Sequence, residues 1–152
     1  VIRLGTSDDF DSVFTMLNTH AQEINSDKNL FGYSAEKITN VAEQFLANHL
    51  CFIYAQEQHG SLVDYGALVL STVEPWFGDR EILNCEWFYV KPEGRYTRAA
   101  FKLLKAAKDT AAANSRNMLM SISSLERPLV KGKLLNKFGF VNLGGNYILE
   151  VA

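Results

Sequence analysis

The sequence predicts an α/β protein built on a mixed sheet, and three observations carry that expectation. Apolar residues recur at helical spacing over Phe10, Val13, Phe14, Leu17, Ala21 and Ile24, and again over Ile38, Val41, Ala42, Phe45 and Leu46. From Cys51 onward the pattern turns to short apolar runs separated by turn residues, which is strand periodicity. The run from Ile82 to Val90 is apolar on both faces, as expected of an interior strand covered from both sides, and a helical pattern follows it.

Taken in order, residues 2–4 read as a short opening strand. Thr6 and Ser7 supply side-chain oxygens for a helix start, and Asp8 and Asp9 suit its positive end. Ser34 caps the second helix. Residues 51–55 form a compact strand, 56–61 a turn, and 65–73 the next strand, broken by Glu74-Pro75-Trp76-Phe77-Gly78-Asp79. Alternation along 82–90 puts Ile82, Asn84, Glu86, Phe88 and Val90 on one face and Leu83, Cys85, Trp87 and Tyr89 on the other. A helix over 97–114 buries Ala100, Leu103, Leu104, Ala107 and Ala111. Residues 118–122 give another strand, and 127–138 a shorter helix using Val130, Leu134, Leu135 and Phe138. Residues 140–143 and 147–151 close the chain as a hairpin around Gly144-Gly145-Asn146.

The 152 residues carry no internal repeat, low-complexity tract or linker, so one domain over 1–152 is expected. Apolar residues make up 47% and charged residues 21%, the balance of a globular chain. A net charge of −2 argues against a nucleic-acid footprint, which needs a basic face. No apolar run approaches the roughly 20 residues that span a bilayer, and the opening lacks signal-peptide order, so no membrane partner and a cytoplasmic location are expected. Cys51 and Cys85 lie in apolar strands and read as buried, reduced thiols. His20, His49 and His59 show no metal-ligand spacing with either cysteine, so no metal is expected and all three read as ordinary.

Chemistry concentrates after the interior strand. A strand that turns sharply into a helix presents free amide N–H groups and the positive end of the helix dipole, which together favour an anion. Arg95 and Arg98 add full charges there, although two arginines at a helix start are often only solvated. Glu86 stands out within the strand, since a carboxylate among apolar residues is costly to bury without a partner. It reads either as a proton acceptor or as half of an ion pair across the sheet.

Val90-Lys91-Pro92-Glu93-Gly94-Arg95-Tyr96-Thr97-Arg98-Ala99-Ala100 resembles the acyl-CoA signature of the GNAT acetyltransferase superfamily. That signature runs valine, any residue, proline, two more residues, then Arg/Gln-x-x-Gly-x-Gly/Ala; Arg95 matches its first position and Ala100 its last. Leu134-Leu135-Asn136-Lys137-Phe138-Gly139-Phe140 is similar to the late helix of the family, which ends in Lys-x-Gly-Phe. The likeness extends to the order of elements along nearly the whole chain, and the short loop is most similar to small bacterial or phage-encoded members.

The resemblance implies an α/β (α+β) fold with a mixed, mostly antiparallel sheet flanked by about four helices. The sheet would splay between two central strands, with acetyl-CoA in the gap and an acceptor amine, on a small molecule or peptide, opposite. Phe88, Tyr89 and Val90 would follow the pantetheine, and Arg95, Tyr96, Thr97, Arg98, Ala99 and Ala100 would surround the pyrophosphate of coenzyme A. Glu86 would deprotonate the amine, with partial burial raising its pKa. A backbone N–H at Tyr89 or Val90 would meet the oxyanion. Paired subunits are common for such an architecture, so a homodimer is admitted.

The chain departs from the family in two places. Arg98 replaces a glycine whose missing Cβ lets the pyrophosphate approach; its guanidinium would either grip a phosphate oxygen or face solvent. Leu135 replaces a tyrosine that protonates the departing thiolate. A thiol leaving group with a pKa of about 8.5 tolerates that loss at reduced rate. Two functions are therefore expected to compete: an N-acyltransferase, and a fold that has lost turnover and serves as an acyl-CoA-binding or structural module, as in a phage particle.

Overall fold

Five strands make one sheet in the order β1 (Ile2–Leu4), β2 (Leu50–Gln58), β3 (Ser61–Val73), β4 (Ile82–Val90) and β5 (Met118–Met120). They are seen in a computed structural model that describes residues 1–25, 29, 31–121, 128–144 and 149. The first four strands pair antiparallel, and β4 pairs with β5 in parallel. A parallel neighbour requires a crossover, and α3 (Ala99–Ala113) supplies it.

Helices cover both faces. Val13 and Met16 of α1 (Phe10–Asn25) and Ala42 and Phe45 of α2 (Ala35–Asn48) pack on Ile53, Val69, Trp87 and Tyr89. On the opposite face Leu103, Leu104 and Ala107 of α3 meet Leu68, Leu70 and Leu83, joined by Leu134, Leu135 and Phe138 at the end of α4 (Pro128–Lys137). Leu103 and Leu104 are fully buried; each contributes about 1.5–3 kcal/mol through removal from water. Gly66 lets these layers close. A Cβ there would lie 2.8 Å from the Tyr89 carbonyl oxygen and 3.1 Å from Leu103 Cδ1, so a side chain would lever β3 off both neighbours. No helix among the described residues is long and apolar enough to cross a membrane.

Several sequence expectations need correcting. The turn after β2 is shorter than residues 56–61: Gln58 pairs with Ser61, and only His59 and Gly60 connect them. Both have positive φ, 51° and 80°, which matches the twist of a two-residue hairpin and lets the strands continue to its tip. Helix α3 begins at Ala99, two residues later than 97, because Thr97 spends its hydroxyl on a tight turn. Residues 140–143 form no strand. Phe140 instead donates its N–H to the Leu135 carbonyl, completing the wrap at the end of α4 where Gly139 has φ 91°. The second arm of that hairpin apart from Leu149, residue 122 of the fifth strand, Arg127 and the side chain of Val130 lie outside the described residues.

The largest correction falls within β4. Val69 pairs with Trp87 and Leu70 with Cys85, so Glu86 is the extra residue of a β-bulge. The bulge reverses the alternation: Leu83, Cys85, Phe88 and Val90 contribute to the α3 side, whereas Trp87 and Tyr89 join the α1–α2 side.

Candidate active site

Pairing of β4 with β5 runs from Leu83↔Met118 to Cys85↔Met120 and stops there, so residues 86–90 of β4 have an unpaired edge among the described residues. The Lys91 N–H is donated to the Tyr65 carbonyl at 2.8 Å, on the β3 side. Alternation along an antiparallel strand then turns the N–H groups of Phe88 and Val90 toward the open edge and that of Tyr89 toward β3. Val90, not Tyr89, is therefore the residue whose amide points away from β3 at the strand end.

Glu86 lies on the surface of the α1–α2 face and is exposed, not buried as its strand position suggested. Ser71 Oγ and Asn84 Nδ2, the latter at 3.0 Å, both donate to Glu86 Oε1. Oε2 makes no hydrogen bond among the described residues. The Ser71 bond above all holds the carboxyl below its ordinary pKa; partial burial opposes it, and Asn84 and then the nearby His49 add to the lowering. The expected rise in pKa is thus overturned: donors to the charged form outweigh desolvation at an exposed site. Nor is Glu86 paired to a lysine or arginine among the described residues. His49 belongs beside it by register, since Leu50 pairs with Leu70 and Ser71 with Asn84. His49 Nδ1 is buried without a hydrogen-bond partner among the described residues.

A second cluster ties α1 to the strand end. Tyr89 Oη donates to Glu23 Oε1 at 2.9 Å, and an Arg95 NH2 group donates to Glu23 Oε2 at 2.8 Å. Arg95 Nε also reaches the Val90 carbonyl at 3.3 Å. His20 stacks on Tyr89 with ring centroids 4.6 Å apart and accepts the Trp87 indole N–H on Nδ1 at 3.0 Å. Burial, first, and the charges of Lys131 and Arg95 lower the His20 pKa to about 4, against the pull of Glu23. Burial and the bond to Glu23 raise that of Tyr89. Sequence alone read His20 as ordinary and passed over Glu23. Their three-residue spacing puts them on one helical face, but only the fold brings Arg95 to it.

The buried imidazole has a measurable consequence. An unfolded histidine titrates near 6.5, so the unfolded chain takes up a proton as pH falls from there to about 4 while the folded chain does not. Stability from this group is complete above about 6.5 and is lost through that window, by about 2–3 kcal/mol at its foot. Urea unfolding at pH 7.5 and 4.5 should show His20→Gln, whose amide oxygen can still accept from Trp87, losing less stability than wild type. Equal losses would show that His20 takes up its proton alike in the folded and unfolded chain, against the effect of its burial.

The loop after β4 starts with a 3-10 turn, Pro92–Gly94. Gly94 is buried under Tyr65, and a Cβ there would lie 2.8 Å from Tyr65 Cβ. Thr97 Oγ1 donates to the Gly94 carbonyl and accepts the Ala99 N–H at 3.2 Å. The first helical bond runs from the Lys102 N–H to the Arg98 carbonyl. The amides of Arg98, Ala100 and Phe101 thus have no partner among the described residues, and together they present an anion seat. Of the residues assigned to the pyrophosphate, Arg95 is committed to Glu23, Tyr96 is 97% exposed, and Arg98 stands over the Phe101 ring at 5.2 Å from its centroid. The full charge at the seat is therefore that of Arg98.

On the α1–α2 face a cavity of about 280 Å³ is floored by Trp87 and walled by Leu17, His20, Ile24, Ile38 and Val41. Cys51 and Cys85 are free, and burial before all else pushes each thiol up to about 12, which removes both as nucleophiles near neutrality.

Solved structures share the fold of this chain. The tetramutant of the BH1408 protein from Bacillus halodurans superposes with a TM-score of 0.80 at 11% identity, covering 99% of each chain. A ribosomal-protein-alanine N-acetyltransferase from Brucella melitensis biovar Abortus 2308 gives 0.64 at 18%, also over 99% of both chains. AAC(6')-Iy, solved with the bisubstrate analog CoA-S-monomethyl-acetylneamine, gives 0.66 at 16%, over 100% of this chain and 97% of that one. The chain has the GNAT acetyltransferase fold. No protein-family model matches the sequence, and neither does any curated protein.

The turn Pro92–Gly94 and the start of α3 at Ala99 follow β4 directly in the chain. Leu135 packs into the α3-side core, so this position offers no proton to a leaving group. Ser124 and Tyr147, which lie near the ends of late strands in the sequence, fall outside the described residues.

Proposed function

We propose that the protein is an N-acetyltransferase that moves an acetyl group from acetyl-CoA directly to a primary amine. One observation carries this reading: past the Glu86 bulge the edge of β4 is unpaired among the described residues, and the strand leads to a helix start with three amides unclaimed among them. The amides of Arg98, Ala100 and Phe101, with the Arg98 guanidinium, would hold the diphosphate, and the exposed edge of Phe88 and Val90 would take the pantetheine amides. Acetyl-CoA supplies the acyl group as a thioester, whose thiolate departs without a strong acid.

The remaining chemistry belongs to the chain. Glu86 is ionised and anchored through Oε1, which leaves Oε2 to receive the proton that nitrogen sheds as its bond to the acyl carbon forms. A low pKa makes this carboxylate a poor base toward a resting ammonium ion near 10.4. It suits the later moment, when the attacking nitrogen has become strongly acidic. The Val90 N–H would stabilise the oxyanion. The carbon–sulfur bond then breaks, and the thiolate collects its proton from solvent because Leu135 has none to give.

A second reading has specific support. Arg95 is neutralised by Glu23, and Leu135 is a core residue, so a protein that binds acyl-CoA without turnover, as an interaction module, also fits. Calorimetry with acetyl-CoA, followed by a thiol-release assay over a panel of amines, separates the two. Binding with release supports the transferase, binding without release for any amine supports the module, and absence of binding overturns both.

A further inference from the structure

Arg95 is the charge missing from the anion seat, and the structure shows what withholds it. Its Nη2 donates to Glu23 Oε2 at 2.8 Å, and its Nε donates to the Val90 carbonyl at 3.3 Å. Glu23 is fixed from its other side. Tyr89 Oη donates to Oε1 at 2.9 Å, and Tyr89 is itself buried and stacked on His20 of α1.

Position nevertheless assigns Arg95 to the seat. The N–H groups of Gly94, Arg95 and Thr97 each bond the carbonyl three residues back. Arg95 (φ −68°, ψ −18°) and Arg98 (φ −88°, ψ 14°) both have the backbone angles of a turn. The chain thus runs through successive tight turns from Pro92 into α3, and residues three apart in such turns stand on one side. Arg95 lies three residues before Arg98, whose amide is one of the three unclaimed among the described residues.

Magnitudes decide between the two partners of this guanidinium. The Arg95 and Glu23 side chains are 44% and 28% exposed, so theirs is a surface ion pair. Such pairs shift an equilibrium by no more than about fivefold. A diphosphate offers more charge and several acceptor oxygens, which a guanidinium can grip two at a time. The bond from Nε to Val90 can persist while the terminal nitrogens change partner, so the exchange asks only for side-chain rotation. Tyr89 keeps Oε1 and holds Glu23 in place for the return.

We propose that Glu23 sets the affinity for the cofactor by holding Arg95 off the anion seat in the free protein, and that the diphosphate takes the guanidinium over on binding. The inference rests on the cofactor reading above and assigns a residue of α1 to its control.

A double-mutant cycle tests it, with acetyl-CoA titrated by calorimetry into wild type, Glu23→Gln, Arg95→Met and the double variant. A glutamine oxygen can still accept from Tyr89, so α1 should stay tied to β4, which melting curves check. Glu23→Gln is expected to bind acetyl-CoA about two- to fivefold more tightly, a gain that loss of a merely structural contact would not give. Arg95→Met should bind about tenfold more weakly, and adding Glu23→Gln to it should change nothing. Inorganic pyrophosphate should follow the same order, which places the effect at the diphosphate. Unchanged or weaker binding by Glu23→Gln, or unchanged binding by Arg95→Met, overturns the proposal. So does an equal gain from Glu23→Gln in the Arg95→Met background, which would mark plain repulsion between carboxylate and diphosphate. In each of those outcomes acetyl-CoA still binds and the cofactor reading survives; failure of all four proteins to bind it removes that reading and the proposal together.

Discussion

Replacing Glu86 by glutamine is expected to lower the turnover of amine acetylation by about 10²- to 10⁴-fold, the range in which a positioned proton acceptor acts. The substitution isolates the proton from the architecture. A glutamine oxygen can still accept from Ser71 and Asn84, so the bulge and the open edge of β4 should survive. Affinity for acetyl-CoA and the midpoint of thermal unfolding are therefore expected to stay near wild type, which calorimetry and a melting curve would establish. The pH profile adds a sharper check. Because Ser71, and after it Asn84 and His49, depress the carboxyl pKa, activity of the wild type should not fall with loss of Glu86 charge until below the ordinary carboxylate range. An acid limb assigned to Glu86 near neutrality would contradict the geometry, and unchanged turnover in Glu86→Gln would end its role.

Glu86 also shows where sequence reasoning reaches its limit. Its type, its place four residues before Val90 and its isolation among apolar neighbours were all visible. The bulge was not. A single unpaired residue leaves no mark on a nine-residue apolar run, yet it turned Leu83 and Cys85 away from Trp87 and Tyr89 and brought Glu86 to the surface. Burial, and with it the direction of the pKa shift, was misjudged for that one reason. The helices fared better because amphipathic spacing repeats many times along each: Val13 with Phe10, Phe14 and Leu17, Ala42 with Phe45, and Leu103 with Leu104 pack on the sheet as their spacing predicts, and Met16, outside that pattern, is buried with them.

The loop was legible as backbone and less so as side chains. Strand, turn and helix follow from Pro92, Gly94 and the apolar spacing of α3, and the seat for an anion is made of amides that every sequence possesses. What the arginines do there depends on partners distant in the chain. Glu23, 72 residues before Arg95, claims its guanidinium, and Phe101 takes the face of Arg98. No local pattern announces such pairings. The His20–Trp87 bond and the cavity between α1 and α2 were hidden for the same reason, since each needs two helices and a strand to meet.

Because that seat is backbone, its test is a charge and not a deletion. Ala100 is the second residue of α3, beside the amides of Arg98 and Phe101. A glutamate at this position complements the helix dipole and should leave stability unchanged or raise it by about 0.3–1 kcal/mol. The same carboxylate would stand close to a bound diphosphate. Repulsion of about 2–3 kcal/mol at such separations, in the intermediate dielectric of a protein surface, corresponds to roughly 30- to 150-fold weaker binding of acetyl-CoA. Ala100→Glu is thus expected to melt no lower than wild type while losing the cofactor, two effects of opposite sign from one substitution. Ala100→Gln, of equal size and no charge, separates repulsion from crowding. Calorimetry on the three proteins decides the matter: an Ala100→Glu variant that binds acetyl-CoA as tightly as wild type would mean that the open end of α3 faces no diphosphate, and the gap above it would lose its occupant.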